Sequence, residues 1–383
     1  MRKDSSNQPI RIAQIIGKWV GGGVEAVVMN YYRNIDRSKI QFDFICDNDS
    51  TNIPYDEIES LGGKVILIPP YQKVFKYHKE LKRVLKEGKY KIVHSHINTL
   101  SVFSLCAAKS ANIPVRIAHS HATTNKKEFK RNIIKLILRP FNKLFATHYM
   151  CCSEYAGRWM FGNKNYENNK VEKINNAIEL NKFAFNGKVR DEYRNKLGIK
   201  KHQLVVGHVG RMVETKNHSF LIDVFSKLCK KKDAVLVLLG QGSLEAKLKK
   251  QVETLGIQDK VFFMGQRNDA YNWYQAFDIF GLPSLYEGFG MALLEAQVSN
   301  LPCIASSEVP LEAKLIDNFK YLSLNDAIEL WVNSIIELTD NNVRYSNSVL
   351  ISKNGYDIVI EAKKLENWYL ELYDEWRCKN GKN

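Results

Sequence analysis

Short apolar runs alternate with helix-length segments along the whole chain, and this alternation restricts the fold more than any other feature. RIAQIIG, FDFICD, KVILIP, KIVHSH and VRIAHS lie in the first half, and LVVGHVG, AVLVLLG, KVFFMG, DIFGLPS and PCIAS in the second. Runs apolar on both faces are strands covered on both sides, and strands separated by helix-length segments need crossover connections, hence parallel sheets. A length of 383 residues exceeds a single core, since domains run to roughly 100–200 residues. The expected class is therefore α/β, with two Rossmann-like domains whose parallel sheets face a central cleft.

The alternation restarts after INNAIELNKF, residues 174–183. That sets expected limits of 1–176 for an N-terminal domain and 177–355 for a C-terminal domain. Residues 356–383 carry Trp368, Tyr369, Leu372, Tyr373 and Trp376, an aromatic stripe that reads as core on a helical segment packing across the domains.

The formal charge of +15 asks for an acidic partner: nucleotide, nucleic acid or anionic lipid. It is concentrated at 126–145, KKEFKRNIIKLILRPFNKLF, where seven cations oppose one acid and Phe129, Ile133, Ile134, Ile137 and Leu138 recur at helical spacing. This is a basic amphipathic helix, interrupted at Pro140, that either packs by its apolar stripe or lies on a membrane surface. No run of about 20 apolar residues occurs, and the opening MRKDSSNQPI is neither a secretory signal nor an anchor. Seven scattered cysteines fit a reducing cytoplasm. No His, Cys or Asp cluster at metal-ligand spacing is evident, so no metal is expected.

The second half carries the densest chemistry. Arg211 and Lys216 follow LVVGHVG, where a parallel sheet binds ligands, and two fixed cations there suit a diphosphate. Gly240 and Gly242 of LLGQGSL serve either a tight strand-to-helix turn or close approach of a phosphate. A third glycine is missing, which counts against a nicotinamide dehydrogenase. YEGFGMALLEAQ then opens a helix near Gly290. The amides of Met291 and Ala292 with the helix dipole suit an anion, Glu295 can accept both hydroxyls of a ribose, and Glu287 lies before the turn. Carboxylates on either side of a diphosphate are what a nucleotide sugar demands.

Together with GGGVE at 21–25, VHSH at 93–96, CCSEYAG, NAIELNKF and GRMVETK, these motifs resemble family four of the retaining glycosyltransferases, of GT-B fold, over nearly the whole chain. The resemblance implies a donor nucleotide sugar, such as a UDP-sugar, on the C-terminal domain and an acceptor on the N-terminal domain, with no metal. It implies that Arg211 and Lys216 neutralise the leaving diphosphate, that Glu295 holds the ribose and that Glu287 holds donor-sugar hydroxyls. Gly22 and Gly23 are expected at the donor sugar and phosphate. The family's donor-contacting histidine falls on His119 or His121, with His119 preferred; His94 and His96 read as structural. AHSH and the run LEAKLIDNFKYLSLND resemble a bacterial exopolysaccharide and capsule branch. The implied activity is transfer of a hexosyl or N-acetylhexosaminyl group to a polyprenyl-linked saccharide by a cytoplasmic enzyme peripheral on the inner face of the cell membrane. A nucleotide-sugar epimerase of the same architecture is the alternative enzyme. Nucleic-acid binding rests on charge alone and lacks a reading module.

Overall fold

The computed structural model describes residues 8–121, 129–340 and 343–381. The chain forms two compact units, 1–178 with 355–383 and 179–354, so it passes between them twice. The first crossing lies within the expected boundary segment. The tail at 355–383 belongs to the first unit rather than standing as a segment across two domains.

The first unit holds a seven-stranded parallel sheet of Ile10–Gly17 (β1), Ile40–Asp47 (β2), Lys64–Ile68 (β3), Ile92–Ser95 (β4), Val115–Ser120 (β5), His148–Cys151 (β6) and Val171–Lys173 (β7). The order is β3-β2-β1-β4-β5-β6-β7. All eight residues of β2 are buried, as a strand covered on both faces requires. The order reverses between β1 and β4, and ligands of open α/β sheets bind beyond the carboxyl ends of strands at such a switch.

The second unit holds Leu204–Val209 (β8), Ala234–Leu239 (β9), Val261–Phe263 (β10), Ile279–Leu282 (β11), Cys303–Ser306 (β12) and Phe319–Leu322 (β13), all parallel, in the order β10-β9-β8-β11-β12-β13. Here the switch lies between β8 and β11. Arg211 and Lys216 follow the first of these strands, and the Glu287 turn follows the second.

The C-terminal helix Ile358–Lys379 is capped by the Asp357 carboxylate, which accepts from the Val359 N–H. It buries Tyr369 completely among first-unit residues. Its Glu366, nearly inaccessible, accepts from Lys39 at 3.3 Å and Lys363 at 2.6 Å.

The basic segment forms one helix, Phe129–Phe145, that runs through Pro140 rather than stopping there. Its buried Asn142 donates to the Thr99 carbonyl at 2.9 Å, so a polar residue faces inward. Ile133, Ile134, Ile137, Phe141 and Leu144 are exposed, Ile137 to 60% and Leu144 to 59%. At about 100° per residue these five share a face roughly 100° wide. Lys126 and Lys127 lie outside the described residues, as do the side chains of Lys130 and Arg131. Among the described residues no helix is long and apolar enough to cross a membrane.

Candidate active site

In the second unit the two loops at the switch point are stitched together. The Leu285 N–H donates to the Thr215 carbonyl at 2.8 Å, bringing the turn after β11 against the 3-10 turn Glu214–Lys216. Lys216 Nζ then donates to Glu287 Oε1 at 2.5 Å, and Ser284 Oγ donates to the same oxygen at 2.6 Å. Lys216 is thus an ion-pair partner of Glu287 as well as a cation on the loop, which motif spacing alone did not indicate. Arg211 is exposed on the same loop.

Helix Met291–Val298 begins at Gly290, whose φ of 91° is the left-handed conformation that glycine adopts at least cost. The helix has no side-chain cap, so the first-turn amides of Met291 and Ala292 remain oriented out of its amino end. One turn on, Glu295 Oε2 accepts from the Tyr274 hydroxyl at 2.6 Å. Burial pushes the Glu295 carboxyl up to about 7, while the Tyr274 bond and then Lys182 and Lys216 pull it back. A carboxylate held in one orientation by a phenol keeps its second oxygen for a diol. Ser284 and Tyr274 carried no sequence signal, because their roles depend on tertiary contact.

Gly240 and Gly242 serve the turn. A Cβ on Gly240, which has a φ of 127°, would fall 2.0 Å from the Gly210 carbonyl oxygen, and one on Gly242 would fall 2.4 Å from that of Met212. The loop after β9 therefore lies directly on the backbone that carries Arg211, and these glycines are used by packing. Beneath the same loop, His208 Nδ1 bonds the Gly281 carbonyl at 2.7 Å and its ring lies 4.4 Å from that of His218.

In the first unit Gly22 precedes helix Gly23–Asn34. A Cβ there would meet Glu25 Oε2 at 2.9 Å, whereas one on Gly23 would meet open space. Glu25 Oε1 accepts from the Val20 N–H at 3.0 Å, so the Gly22 backbone makes room for this internal cap and only Gly23 is clear of side chains. A depression of about 420 Å³ at the carboxyl ends of the strands is lined by Lys18, Glu25, Asp47, Asp49 and His96 among others. Burial and then neighbouring Asp49 push Asp47 up to about 6.

His119 lies within β5 and is buried, its Nδ1 3.0 Å from His94 Nε2. His121, one residue past the strand, is buried too, and its N–H donates to Asn98 Oδ1 at 2.7 Å. The histidine lining the open depression is His96. The sequence preference for His119 as a sugar contact thus gains no geometric support.

The sequence showed no metal-ligand cluster, yet the fold brings a ring nitrogen from each of His94, His96 and His119 within 4.8 Å of the others. The cause is topological: β4 and β5 are adjacent and parallel, with His94 paired to Ile117 and Ser95 to Ala118, so two His-x-His pairs 25 residues apart converge.

Residues 21–182 match Glycosyltransferase Family 4, and residues 189–357 match Glycosyl transferases group 1. EpsF of Bacillus subtilis strain 168 is 34% identical over 332 residues, 85% of this chain and 86% of that protein. The chain is a family 4 glycosyltransferase. A second relative of this transferase is the UDP-Gal:alpha-D-GlcNAc-diphosphoundecaprenol alpha-1,3-galactosyltransferase of Escherichia coli, 26% identical over 96% of the chain and 98% of that protein. Among solved structures, Anabaena HepE in complex with UDP-glucose superposes with a TM-score of 0.76 at 18% identity, covering 94% of this chain and all of that one. That likeness places the transferase in the two-domain GT-B fold. Family membership gives the epimerase alternative no support.

Proposed function

We propose that this transferase moves a hexosyl or N-acetylhexosaminyl group from a UDP-sugar to a polyprenyl-linked saccharide, with retention of configuration, in assembly of an extracellular polysaccharide. The observation that carries the reading is the second unit's switch-point cluster: Arg211 and Lys216 on one loop, Glu287 and the amino end of helix Met291–Val298 on the other, and Glu295 fixed by Tyr274. In this reading Arg211, Lys216 and the Met291 and Ala292 amides take the diphosphate, and Glu295 takes the ribose hydroxyls. Glu287 takes hydroxyls of the sugar.

The diphosphate gains charge as the glycosidic bond breaks, and prepositioned cations and amides stabilise that charge more than the ground state, which lowers the barrier. No metal is assigned to this step. The UDP donor and undecaprenol-type acceptor are supported by the Escherichia coli relative and, for the fold, by HepE.

The first unit's depression with Asp47 and Asp49 is suited to a polyol acceptor. The exposed apolar face of helix Phe129–Phe145, with Lys135, Arg139 and Lys143 on the same helix, suits an anionic membrane surface. We assign the enzyme to the cytoplasmic face of that membrane on this basis.

The test has two arms. A thermal-shift panel of nucleotide sugars should single out a uridine donor, since a ligand at 100 times its Kd adds about 2.7 kcal/mol. That donor should then be transferred to a short polyprenyl-diphosphate saccharide, with the anomeric configuration of the product read by NMR. A donor that shifts the melt yet reaches no lipid-linked acceptor would leave the donor site standing and overturn the acceptor.

A further inference from the structure

Four histidines fill the interior of the first unit beneath the carboxyl ends of β4 and β5. Their eight ring nitrogens can be followed one by one. His94 Nδ1 lies 2.6 Å from the Tyr369 hydroxyl, and His96 Nε2 lies 2.7 Å from Gln14 Oε1. His94 Nε2 faces His119 Nδ1 at 3.0 Å, and His96 Nδ1 faces His121 Nε2 at 2.9 Å. The last two, His119 Nε2 and His121 Nδ1, are buried with no hydrogen-bond partner. Gln14 Nε2 donates to the Tyr369 hydroxyl at 3.3 Å, joining the two outer partners.

Buried polar groups are paired as a rule, so two unmatched ring nitrogens within one cluster ask for an explanation. Tyr369 and Gln14 occupy the outer nitrogens of His94 and His96, fixing each ring so that its other nitrogen points inward, that of His94 at His119 and that of His96 at His121, a contact the cation would replace. Metal-binding histidines are oriented in this way, by a partner on the nitrogen that does not ligate.

We propose that His94, His96 and His119 together bind one divalent cation of the zinc class, with Tyr369 and Gln14 as the groups that orient two of the ligands. The donor set is all imidazole nitrogen, which selects zinc over magnesium or calcium. Ligation needs each ring neutral, with a lone pair on the nitrogen that faces the cation. A cavity of about 20 Å³ is lined by the histidines with Val27, Val28, Phe42 and Met150, among others. It has room for one water as the fourth ligand. No carboxylate belongs to the set, so this water gives a proton to solvent and the resulting hydroxide offsets part of the cation's charge. The site joins β4 and β5 and, through Gln14 and Tyr369, β1 and the C-terminal helix. It lies within the first unit and does not rest on the donor reading.

The experiment uses the full chain carrying no histidine tag. It is incubated with Zn²⁺, cleared of loosely held metal on a chelating resin and assayed by elemental analysis. One zinc per chain is expected, with a higher Tm than the chelator-treated protein and tighter binding at higher pH. His94→Gln and His119→Gln should lose the metal. Tyr369→Phe keeps the ring in the core and should weaken zinc about 10- to 100-fold in competition with a fluorescent chelator. It decides the matter if the histidine variants fail to fold by circular dichroism. Co²⁺ in place of zinc should give visible ligand-field bands that the variants lack. A folded parent chain holding well under one equivalent of zinc, or an affinity unchanged by Tyr369→Phe and His119→Gln, overturns the proposal.

Discussion

Lys216 and Glu287 offer the sharpest test of the donor site, because one contact has to serve both ground-state structure and leaving-group chemistry. Their side chains are 23% and 9% exposed, so the pair is neither fully screened nor fully buried. On the donor reading proposed above, Lys216→Met removes one charge-assisted contact to the departing diphosphate. Taken as about 3 kcal/mol at 1.36 kcal/mol per decade, that lowers kcat/KM roughly 160-fold. The same change leaves the Glu287 carboxylate with Ser284 Oγ but without its cation, facing donor phosphates of like charge. A further cost of about 1 kcal/mol brings the loss close to a thousandfold. Glu287→Gln keeps the shape, loses a sugar contact and frees Lys216 for phosphate, so it should cost less. In the double variant the orphaned carboxylate is gone. The combined loss should therefore fall short of the product of the two single losses by about 1 kcal/mol, a coupling typical of residues in contact. Steady-state kinetics over a range of donor concentrations measures this, with urea midpoints to confirm the fold. Lys216→Met within threefold of the parent, or strict additivity across the cycle, would refute the reasoning.

Four further expectations can be checked separately. Tyr274→Phe removes a bond that holds the Glu295 pKa down, so Glu295 should titrate above about 7 and the donor KM should rise at pH 7 and recover as the assay pH is raised. The folded Glu295 keeps its proton above the ordinary 4.5, so the unfolded chain releases it first. Stability should decline as pH rises from 4.5 to about 7, and Glu295→Gln should remove that slope in pH-dependent melts. Ile134→Ser, Ile137→Ser and Leu144→Ser combined should lower partition onto anionic vesicles roughly 100-fold, at about 1 kcal/mol for each half-buried side chain. Co-sedimentation with unchanged binding would remove the helix from the membrane reading. Gly240→Ala drives a Cβ into the Gly210 carbonyl at a backbone angle that resists it, and should lower Tm by roughly 4–12 °C for about 2–3 kcal/mol. A melt within 1 °C or so of the parent would show that the loop has room to shift.

Central strands were legible because burial on both faces writes a mainly apolar run, unbroken in AVLVLL and interrupted in FDFICD by Asp43, which is buried against Arg11. The missed strands, HYMC, VEK and FKYL, are only three or four residues long, and the last two lie at sheet edges where half-exposure permits Lys173 and Lys320. Arg211, Lys216, Glu287 and Glu295 could be located by spacing, since a switch-point loop fixes where they sit. Their bonding could not, because the Lys216–Glu287 contact and the Tyr274 clamp join residues 71 and 21 positions apart. Gly240 and Gly242 left two readings open, and only the Gly210 and Met212 carbonyls decided for packing. Alternation put His94 with His96 and His119 with His121 on common faces. That the two pairs meet depends on β4 lying next to β5, which is a property of strand order.

The double passage between units has a consequence for biosynthesis. The residues that complete the first unit's interior, Tyr369 among them, emerge only after all of 179–354 has been made. At about 5–20 residues per second, those 176 residues take roughly 9 to 35 s. During that interval the nascent sheet holds Gln14 and His94 without the hydroxyl that later bonds both. The second unit, continuous in sequence, can mature while the first still waits for its final helix. A chain truncated at residue 354 should therefore pair a protease-sensitive amino-terminal portion with a resistant second unit.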